Sequence, residues 1–567
     1  MPRCVAVGPR QAAIAIVGEA PGAEEEKGGL PFIGASGQEL TRMLSDAGIE
    51  RSACFVTNLC MDRPSSNDIE QWVITKKKGP KGFVSFRGRL VAPHIPEEHE
   101  RLVSELRSVG PNVVLALGDT ALWALCPHSG TGKWRGSLLE SDVIPGLKVI
   151  PAYHPAFILR KWPNRWITVQ DFRRAKKESL RKELILPEYN FILGPDKYTT
   201  CNYLNDLIKK AMFSKEKIKL VIDLEIFHKE ILCVGLATSK RDAICIPFIS
   251  LKGYWFDPET HTEVVSLLSR VLQHPNIAVC NQNIAFDKLF LFWRFFIKFD
   301  AAFDTMVGQG VLFPSGGAPK YNDETKNTRD SQGELPKNLG FLGSMYAEYY
   351  LYWKDDGKFW ISYESDEKIW RYNCLDCTYT FEVWEAQEAT LKNLNLTTQM
   401  DFMLRVMRHV ETMQIQGVLV DTKRKQAMAE ELWALERQLH LEIEFLTGQN
   451  LRGPKGDLSS AKLANFFYTQ LKLPVILSKL KKPTCDDEAL KKIGKREPWL
   501  LPLIERINMI RSYGTAIDVV ASRTDDDSRW RTSYNVVGTE TYRFSSSANP
   551  FNTGLNLQNL SGGKEIV

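Results

Sequence analysis

Four short apolar runs in the first 151 residues, at 12–17, 54–57, 113–117 and 148–151, constrain the fold more than any other feature of this chain. Between them lie helical patterns at 36–46 and 120–125. Strand and helix in alternation predict a parallel sheet covered by helices. A second region of this kind opens at 219–225 and runs to about 394, interrupted at 314–336 by a Gly-, Pro-, Asn-, Asp- and Ser-rich stretch that reads as a long loop. From 399 the pattern turns helical, with amphipathic stretches at 402–414 and 427–446, before strand-like sequence returns at 530–537. A chain of 567 residues is too long for one core. The expected organisation is α/β multidomain, with domains at 1–187, 188–395 and 396–567.

Composition narrows the class. With 44% hydrophobic and 25% charged residues, disorder and collagen-like structure are excluded. Eleven cysteines without framework spacing point to a reducing cytoplasm (a host's, if the chain is phage-encoded) rather than a secreted disulfide scaffold. The net charge of +5 means that any nucleic-acid affinity must come from local patches. The most apolar stretch, 289–299, is broken by Arg294 and Lys298 and is too short to span a bilayer, so no membrane partner is expected.

In the run Lys219-Leu-Val-Ile-Asp-Leu-Glu225, strand alternation puts Asp223 and Glu225 on one face. Two like charges side by side are unfavourable unless a cation neutralises them. A second short strand at 277–280 leads into Asn281-Gln-Asn-Ile-Ala-Phe-Asp287, which places Asp287 where a loop becomes a helix. In the helical pattern 367–376, Tyr372 and Asp376 are four apart and share a face. Cys374 and Cys377 form a C-x-x-C without a second pair and read as core.

In this order the three segments resemble the exonuclease motifs of proofreading DNA polymerases. Asp223 and Glu225 match the first, Asn283 and Asp287 the second, Tyr372 and Asp376 the third. The resemblance implies an RNase H-like, DnaQ-like 3′–5′ exonuclease domain. Asp223, Glu225, Asp287 and Asp376 would hold two Mg2+ (or Mn2+) ions, and Tyr372 would orient the attacking water. Hard cations want carboxylate oxygens, and phosphodiester hydrolysis needs both a deprotonated water and charge relief on the leaving oxygen. Asn283 is either a substrate contact or a loop-capping amide.

In the first region polar residues follow the strands: Glu19, Asn58, Asp119 and His154. Ligands of parallel sheets bind at that edge. The segments Gly18-Glu-Ala-Pro-Gly-Ala-Glu-Glu-Glu26, Pro31-Phe-Ile-Gly34, Thr57-Asn58 and His154-Pro-Ala156 resemble uracil-DNA glycosylases of the family 4 type. The resemblance implies a three-layer α/β/α domain in which Phe32 stacks on the base and Asn58 pairs with its edge. His154 would hydrogen-bond the departing base, and Glu19 or Glu25 would hold or activate water. Asp119 matches no role there and reads as structural. That family carries an iron–sulfur cluster on four cysteines, including an N-terminal C-x-x-C. Here only Cys4 precedes the first strand and 97–109 contains none, so no iron–sulfur cluster is expected. The domain excises uracil, acts on another modified pyrimidine, or only holds DNA.

Two further features remain. Nine Lys and Arg against three acids between 156 and 184 read as a solvated helix or as a phosphate-facing flank. Thr539-Glu-Thr-Tyr-Arg-Phe-Ser-Ser546 with Asn556-Leu-Gln-Asn559 is a polar hairpin by itself, and resembles the entry to the palm of family A, phage-type DNA polymerases. The resemblance implies a mainly helical thumb and the beginning of a palm. Arg543 would lie at the primer terminus, and Thr539, Thr541, Ser545, Asn556, Gln558 and Asn559 would contact DNA. Residues 525–527, three acids in a row, read as a solvated turn. In that family the nucleotide-binding aspartates and the fingers come later in the chain. The expectation is that this chain does not polymerise alone, and that a missing C-terminal segment or a second chain carries palm and fingers. Its expected partners are primer–template DNA and single-stranded 3′ ends. The rival expectations are a repair glycosylase–exonuclease and a non-catalytic, DNA-holding subunit of a split polymerase.

Overall fold

The computed structural model describes residues 3–74, 79–314, 336–357, 365–454, 456–478, 482–539, 542–551 and 554–559. The expected loop at 314–336 thus lies almost wholly outside the described residues, as does Thr541. The chain forms two compact units, Met1–Pro319 with Gly333–Leu404, and Lys320–Gln332 with Arg405–Val567.

The first unit contains two sheets. In the first, β1 (Ile14–Gly18), β2 (Phe55–Asn58), β3 (Val113–Leu117), β4 (Leu139–Glu140) and β5 (Lys148–Ala152) lie in the order β2-β1-β3-β5-β4. All pairs are parallel except β4 with β5. β1 is buried along its whole length because both of its faces are covered. Ile14 and Ile16 join Leu40, Met43 and Leu44 of the helix Ala35–Asp46, and Phe172 of Arg165–Glu178. Ala15 and Val17 join Leu102 and Leu106 of Ile95–Val109, and Leu122 of Asp119–Leu125. The result is the α/β/α layering that alternating strands and helices predict. Lys148, fully buried on β5, has its ammonium matched by the Glu178 carbonyl (2.7 Å), the Glu178 carboxylate (3.1 Å) and the Arg181 carbonyl (2.7 Å).

The second sheet is mixed. It comprises β6 (Asn190–Leu193), β7 (Ile218–Phe227), β8 (Glu230–Ala237), β9 (Asp242–Pro247), β10 (Ile277–Asn281) and β11 (Ala301–Asp304), in the order β11-β10-β7-β8-β9-β6. β7 pairs antiparallel with β8 and parallel with β10, so its acids stand centrally in the sheet. The helix Asp366–Asn393 crosses β7, β8 and β9. Cys374 and Cys377 are buried in it.

The basic stretch 156–184 is in part the expected solvated helix, with Arg160, Arg173, Lys176, Lys177 and Lys182 exposed, and in part turned inward. Arg174 donates to the carbonyls of Gly136, Ser344 (3.2 Å) and Ala347 (2.8 Å), while Lys177 pairs with Glu348 at 2.9 Å. Arg135 bonds both Asp171 (2.8 Å) and the Ser344 hydroxyl (2.8 Å). Beside these, Leu138 N donates to the Tyr350 carbonyl at 2.8 Å and Tyr352 N to the Ser137 hydroxyl at 3.2 Å. Arg174 and Lys177 thus help to fasten the segment 344–352.

In the second unit the helices Thr422–Thr447, Asp487–Arg496 and Leu501–Ala521 pack through Leu439, Ile443, Leu490, Ile493, Ile504 and Ile507. Val418–Leu419 pairs with Arg529–Trp530, and Thr532–Asn535 with Ser545–Ala548, the polar hairpin seen in the sequence. The acids at 525–527 form the expected turn, with Asp526 and Asp527 exposed, and Arg531, itself buried, binds Asp525 at 2.6 Å and Asp527 at 2.6 Å. Among the described residues no helix is long and apolar enough to cross a membrane.

Candidate active sites

Beyond the carboxyl ends of β1, β2, β3 and β5 lies a cavity of about 640 Å3, lined by residues that include Glu19, Glu25, Phe32, Asn58, Asp119 and His154. The parallel strands deliver Glu19 and Asn58 side by side, since Gly18 and Asn58 are register partners. Gly18 lets them approach Phe32. A Cβ there would stand 2.3 Å from Asn58 Oδ1 and 2.5 Å from the Phe32 ring. Phe32 itself adopts φ 56°, the left-handed region that a side chain rarely takes.

His154 caps the helix Pro155–Arg160, its Nδ1 accepting from Ala156 N at 3.2 Å. That bond assigns the proton to Nε2. Burial pushes the imidazole down to about 4, with Arg160 adding to the effect, so it is neutral at physiological pH. The Phe32 and His154 rings lie 5.7 Å apart. Asn58 is buried, and its Oδ1 has no hydrogen-bond partner within the described protein. A buried acceptor left unmatched costs about 1–3 kcal/mol, which makes this atom a place where a ligand donor belongs.

The two glutamates differ. Glu25 Oε1 accepts from Ile33 N (3.0 Å) and Gly34 N (2.8 Å), bracing the loop that carries Phe32. The Glu19 carboxylate accepts from the Thr120 hydroxyl at 2.6 Å, and burial raises its pKa. Asp119 pairs with Arg89 at 2.7 Å and accepts from Gly130 N, which fits its structural reading. The domain's cysteines do not suit a four-thiolate group. The Cys4 thiol donates to the Glu25 carbonyl (3.1 Å), Cys54 to Glu50 (3.5 Å) and Cys126 to Glu140 (3.7 Å), so no chemistry is derived through a cluster.

On the second sheet, Asp223 and Glu225 of β7 meet Asp376 of the helix Asp366–Asn393. Each offers a ligand atom, and these atoms lie within 4.8 Å of one another. Asp287, in the first turn of Ile284–Phe295, stands one amide away. Its Oδ1 accepts from Leu224 N (3.0 Å), its Oδ2 from Asn281 Nδ2 (2.8 Å), and the same amide reaches Asp223 at 3.3 Å. Burial, then the neighbouring Asp376, pushes Asp223 up to about 7. Glu225 and Asp287 are raised by burial first and by Asp223 second. Crowded carboxylates that resist ionisation are a site in want of a cation.

Sequence reasoning missed several groups here. Lys354 Nζ lies 2.6 Å from Asp376 Oδ2, Trp353 Nε1 donates to the other oxygen, and Asn373 Nδ2 donates to Asp223 at 2.9 Å. Asn373 carried a signal, because it sits three residues before Asp376 on the same helix. Lys354 and Trp353 carried none. Tyr372 lies with its ring 4.8 Å from Lys354 Nζ. Asn283 is exposed, with φ 61°, and its side chain does not cap the helix; Asp304 does, accepting from Ile284 N at 2.9 Å. The capping alternative for Asn283 is thereby corrected.

In the second unit Arg543 is exposed. Thr539 donates to the Arg543 carbonyl at 2.7 Å, Asn556 Nδ2 to the Ser546 carbonyl at 2.7 Å, and Gln558 N to Asn556 Oδ1 at 3.1 Å. Ser545 lies on the hairpin, and Asn559 ends the turn Leu557–Asn559.

A solved structure of the POL domain of Pol1 from M. smegmatis, in complex with DNA primer-template and dNTP, is similar at a TM-score of 0.47 and 15% identity. The match covers 66% of this chain and 57% of that one. The family model for the uracil DNA glycosylase superfamily matches residues 5–183. The type-4 uracil-DNA glycosylase of Thermotoga maritima is 33% identical over 171 residues, which is 29% of this chain and 76% of that protein. That of Archaeoglobus fulgidus is 30% identical over 193 residues, 32% of this chain and 85% of that protein. Through residues 5–183, the chain belongs to the uracil-DNA glycosylase superfamily, among relatives of the type-4 enzymes.

Proposed function

We propose that this chain acts on DNA at two hydrolytic centres, excising uracil in the first cavity and trimming 3′ ends at the carboxylate group. The observation that carries the first reading is the pairing of a neutral His154 with the unmatched Asn58 Oδ1 beside Phe32. A base must leave the stack before its glycosidic bond can be reached. In the cavity Phe32 would replace its stacking. Asn58 Oδ1 would accept the N3–H that uracil has and cytosine lacks, while Nδ2 donates to the neighbouring carbonyl. As the C1′–N1 bond breaks, its electron pair moves into the uracil ring, and His154 Nε2–H donates to the carbonyl oxygen where charge gathers. A neutral donor suits this, because it needs no proton from solvent. Glu19 holds the water that adds to C1′ and takes its proton. Glu25 positions Phe32.

A specific observation favours the second centre: three carboxylates whose ligand atoms lie within 4.8 Å, all hard oxygen donors. Asp223, Glu225 and Asp376 would hold Mg2+ or Mn2+, with Asp287 steadied beside them through Asn281. Bound divalent ions would supply charge relief at the leaving 3′ oxygen and a deprotonated water. Tyr372 would orient that water, and Asn283, exposed and released from capping, would touch the strand. The second unit is read as thumb and palm entry of a family A polymerase serving replication, with exposed Arg543 as the contact to the primer terminus.

One oligonucleotide with an internal deoxyuridine and a labelled 5′ end tests both. In EDTA, abasic sites should still form while 3′ trimming stops. No abasic product would remove the glycosylase reading, and trimming that persists in EDTA would remove the metal-dependent one.

A further inference from the structure

Next to the first cavity the helix Pro155–Arg160 gives way to the turn Trp162–Asn164 and the helix Arg165–Glu178. Phe157 and Arg160 line the cavity. Trp162 is 54% exposed and Trp166 63%. Exposed apolar side chains scattered singly need no explanation, but these two indoles share one guanidinium. The Arg165 Cζ lies 5.3 Å from the Trp162 ring centroid and 5.1 Å from that of Trp166. Arg165 itself is buried, with Nε on Glu39 (2.6 Å) and Nη2 on Asp46 (2.7 Å). Its charge is balanced inside the protein, so it is poorly placed to hold a phosphate. What it does is fix two aromatic faces at the surface.

We infer that Trp162 and Trp166 form a stacking platform for unpaired bases of the DNA strand that enters the first cavity. Base–aromatic stacking is tolerant of sequence because every base has a π-face, and a pre-fixed ring loses little conformational entropy when a base lands on it. The occupant follows from continuity and charge. Two residues of chain span at most about 7 Å, so Trp162 stands close behind Arg160 at the cavity mouth. Arg160 and Lys161, both cationic, lie between the cavity and the rings, where a phosphodiester backbone would run. A duplex hides its base faces, so the platform selects single-stranded DNA. This goes beyond the excision reading: it rests on a DNA strand entering the first cavity but not on excision itself, since strands without uracil would stack equally well.

The test uses the full chain in EDTA and fluorescence anisotropy with two uracil-free probes, a labelled single strand and its duplex. Trp162→Ala/Trp166→Ala should weaken single-strand binding about tenfold or more and duplex binding little. Trp162→Phe/Trp166→Phe should retain most of the affinity, because it keeps the ring faces. A 2-aminopurine placed beside a deoxyuridine should be quenched by the native chain and less so by the alanine pair. Equal weakening on both probes would mean a general surface contact, and unchanged single-strand affinity with lowered Tm would mean a packing role only. Either result overturns the platform, whereas failed uracil excision with normal single-strand stacking would overturn only the glycosylase reading.

Discussion

Gly18→Ala is the smallest change that tests how the first cavity is built. The added Cβ would stand 2.3 Å from Asn58 Oδ1 and 2.5 Å from Phe32 Cζ, where ordinary contact begins at 3.4 Å. The shortfalls, 3.4 − 2.3 and 3.4 − 2.5, require movements of about 1.1 and 0.9 Å. Asn58 and Phe32 are both buried and both line the cavity, so the displacement would be taken up by moving them into the space that the base should occupy. Overpacking of this kind costs about 1–3 kcal/mol of stability, which should show as a drop of a few degrees in Tm. The functional cost should be larger. A reacting group misplaced by 1 Å loses roughly a hundredfold in rate, equivalent to about 2.7 kcal/mol of barrier, and here the stacking ring and the edge-reading amide move together. The assay is single-turnover excision from a deoxyuridine-containing strand in EDTA, with Tm measured on the same protein and 3′ trimming in Mg2+ as the internal control. A folded Gly18→Ala chain that excised uracil at the native rate would refute the reasoning. The base would then bind elsewhere than between Phe32 and Asn58.

Three other outcomes are expected. Because burial holds His154 at about 4, excision should show no loss near pH 6.5 on acidification, and the imidazole should protonate only near pH 4. The stability this neutral His154 contributes is present above the unfolded value and lost as pH falls from 6.5 toward 4; a pH–rate profile and a pH series of Tm read the two effects, and His154→Ala should cost about a hundredfold in rate. Asn58→Ala should reduce excision tenfold or more yet leave Tm unchanged or higher, since it deletes a buried acceptor with no protein partner; a drop of several degrees would show that the amide is structural. At the other centre, Asp223 sits at about 7, so the metal-free fold keeps that proton between the unfolded value near 3.9 and 7, and loses stability as pH rises through this window. Asp223→Asn should therefore raise the Tm of the EDTA-treated chain at pH 8 while abolishing trimming in Mg2+. A lower Tm would contradict the crowding of carboxylates.

What the sequence disclosed was local. β1, β2, β3 and β5 are short apolar runs, and the residue after such a strand lands at the sheet edge whatever the rest of the chain does, so Glu19, Asn58 and His154 were readable one by one. Asp223 and Glu225 followed from strand alternation, and Asp376 from helical spacing. What remained hidden depends on distant partners. Lys354 reaches Asp376 from outside the helix that carries it, and nothing in Trp353-Lys354 marks them as neighbours of carboxylates. The choice between Glu19 and Glu25 was open because it is made by two backbone N–H groups in a loop eight and nine residues on. Asn283 looked like a cap because it stands at the start of a helix, but Asp304, brought beside it by the pairing of β10 with β11, fills that role. The basic stretch 156–184 is solvated at Arg160, Arg173, Lys176 and Lys182, as a surface helix predicts, but Arg174 is not. Charge density alone does not distinguish a face turned to phosphate from one turned to the carbonyls of another segment.

On the proposed readings the two centres would face opposite electrostatic problems. In the first, a neutral leaving base becomes an anion, so the site needs a donor without net charge of its own. Burial keeps His154 neutral, and the Ala156 N–H, occupying Nδ1, leaves the donor on Nε2. In the second, the proposed DNA substrate already carries negative charge and would meet carboxylates, so hydrolysis there would wait on bound cations. Lys354 on Asp376 balances only part of that charge, and burial first, then the neighbouring carboxylates, raise the pKa values of Asp223, Glu225 and Asp287. A divalent ion should displace those protons as it binds, so titrating Mg2+ into the apo chain near pH 7 should release protons in a lightly buffered solution. Asp223→Asn should reduce that release without altering uracil excision in EDTA. If excision changed as well, the two centres would share a charge network and could not be independent.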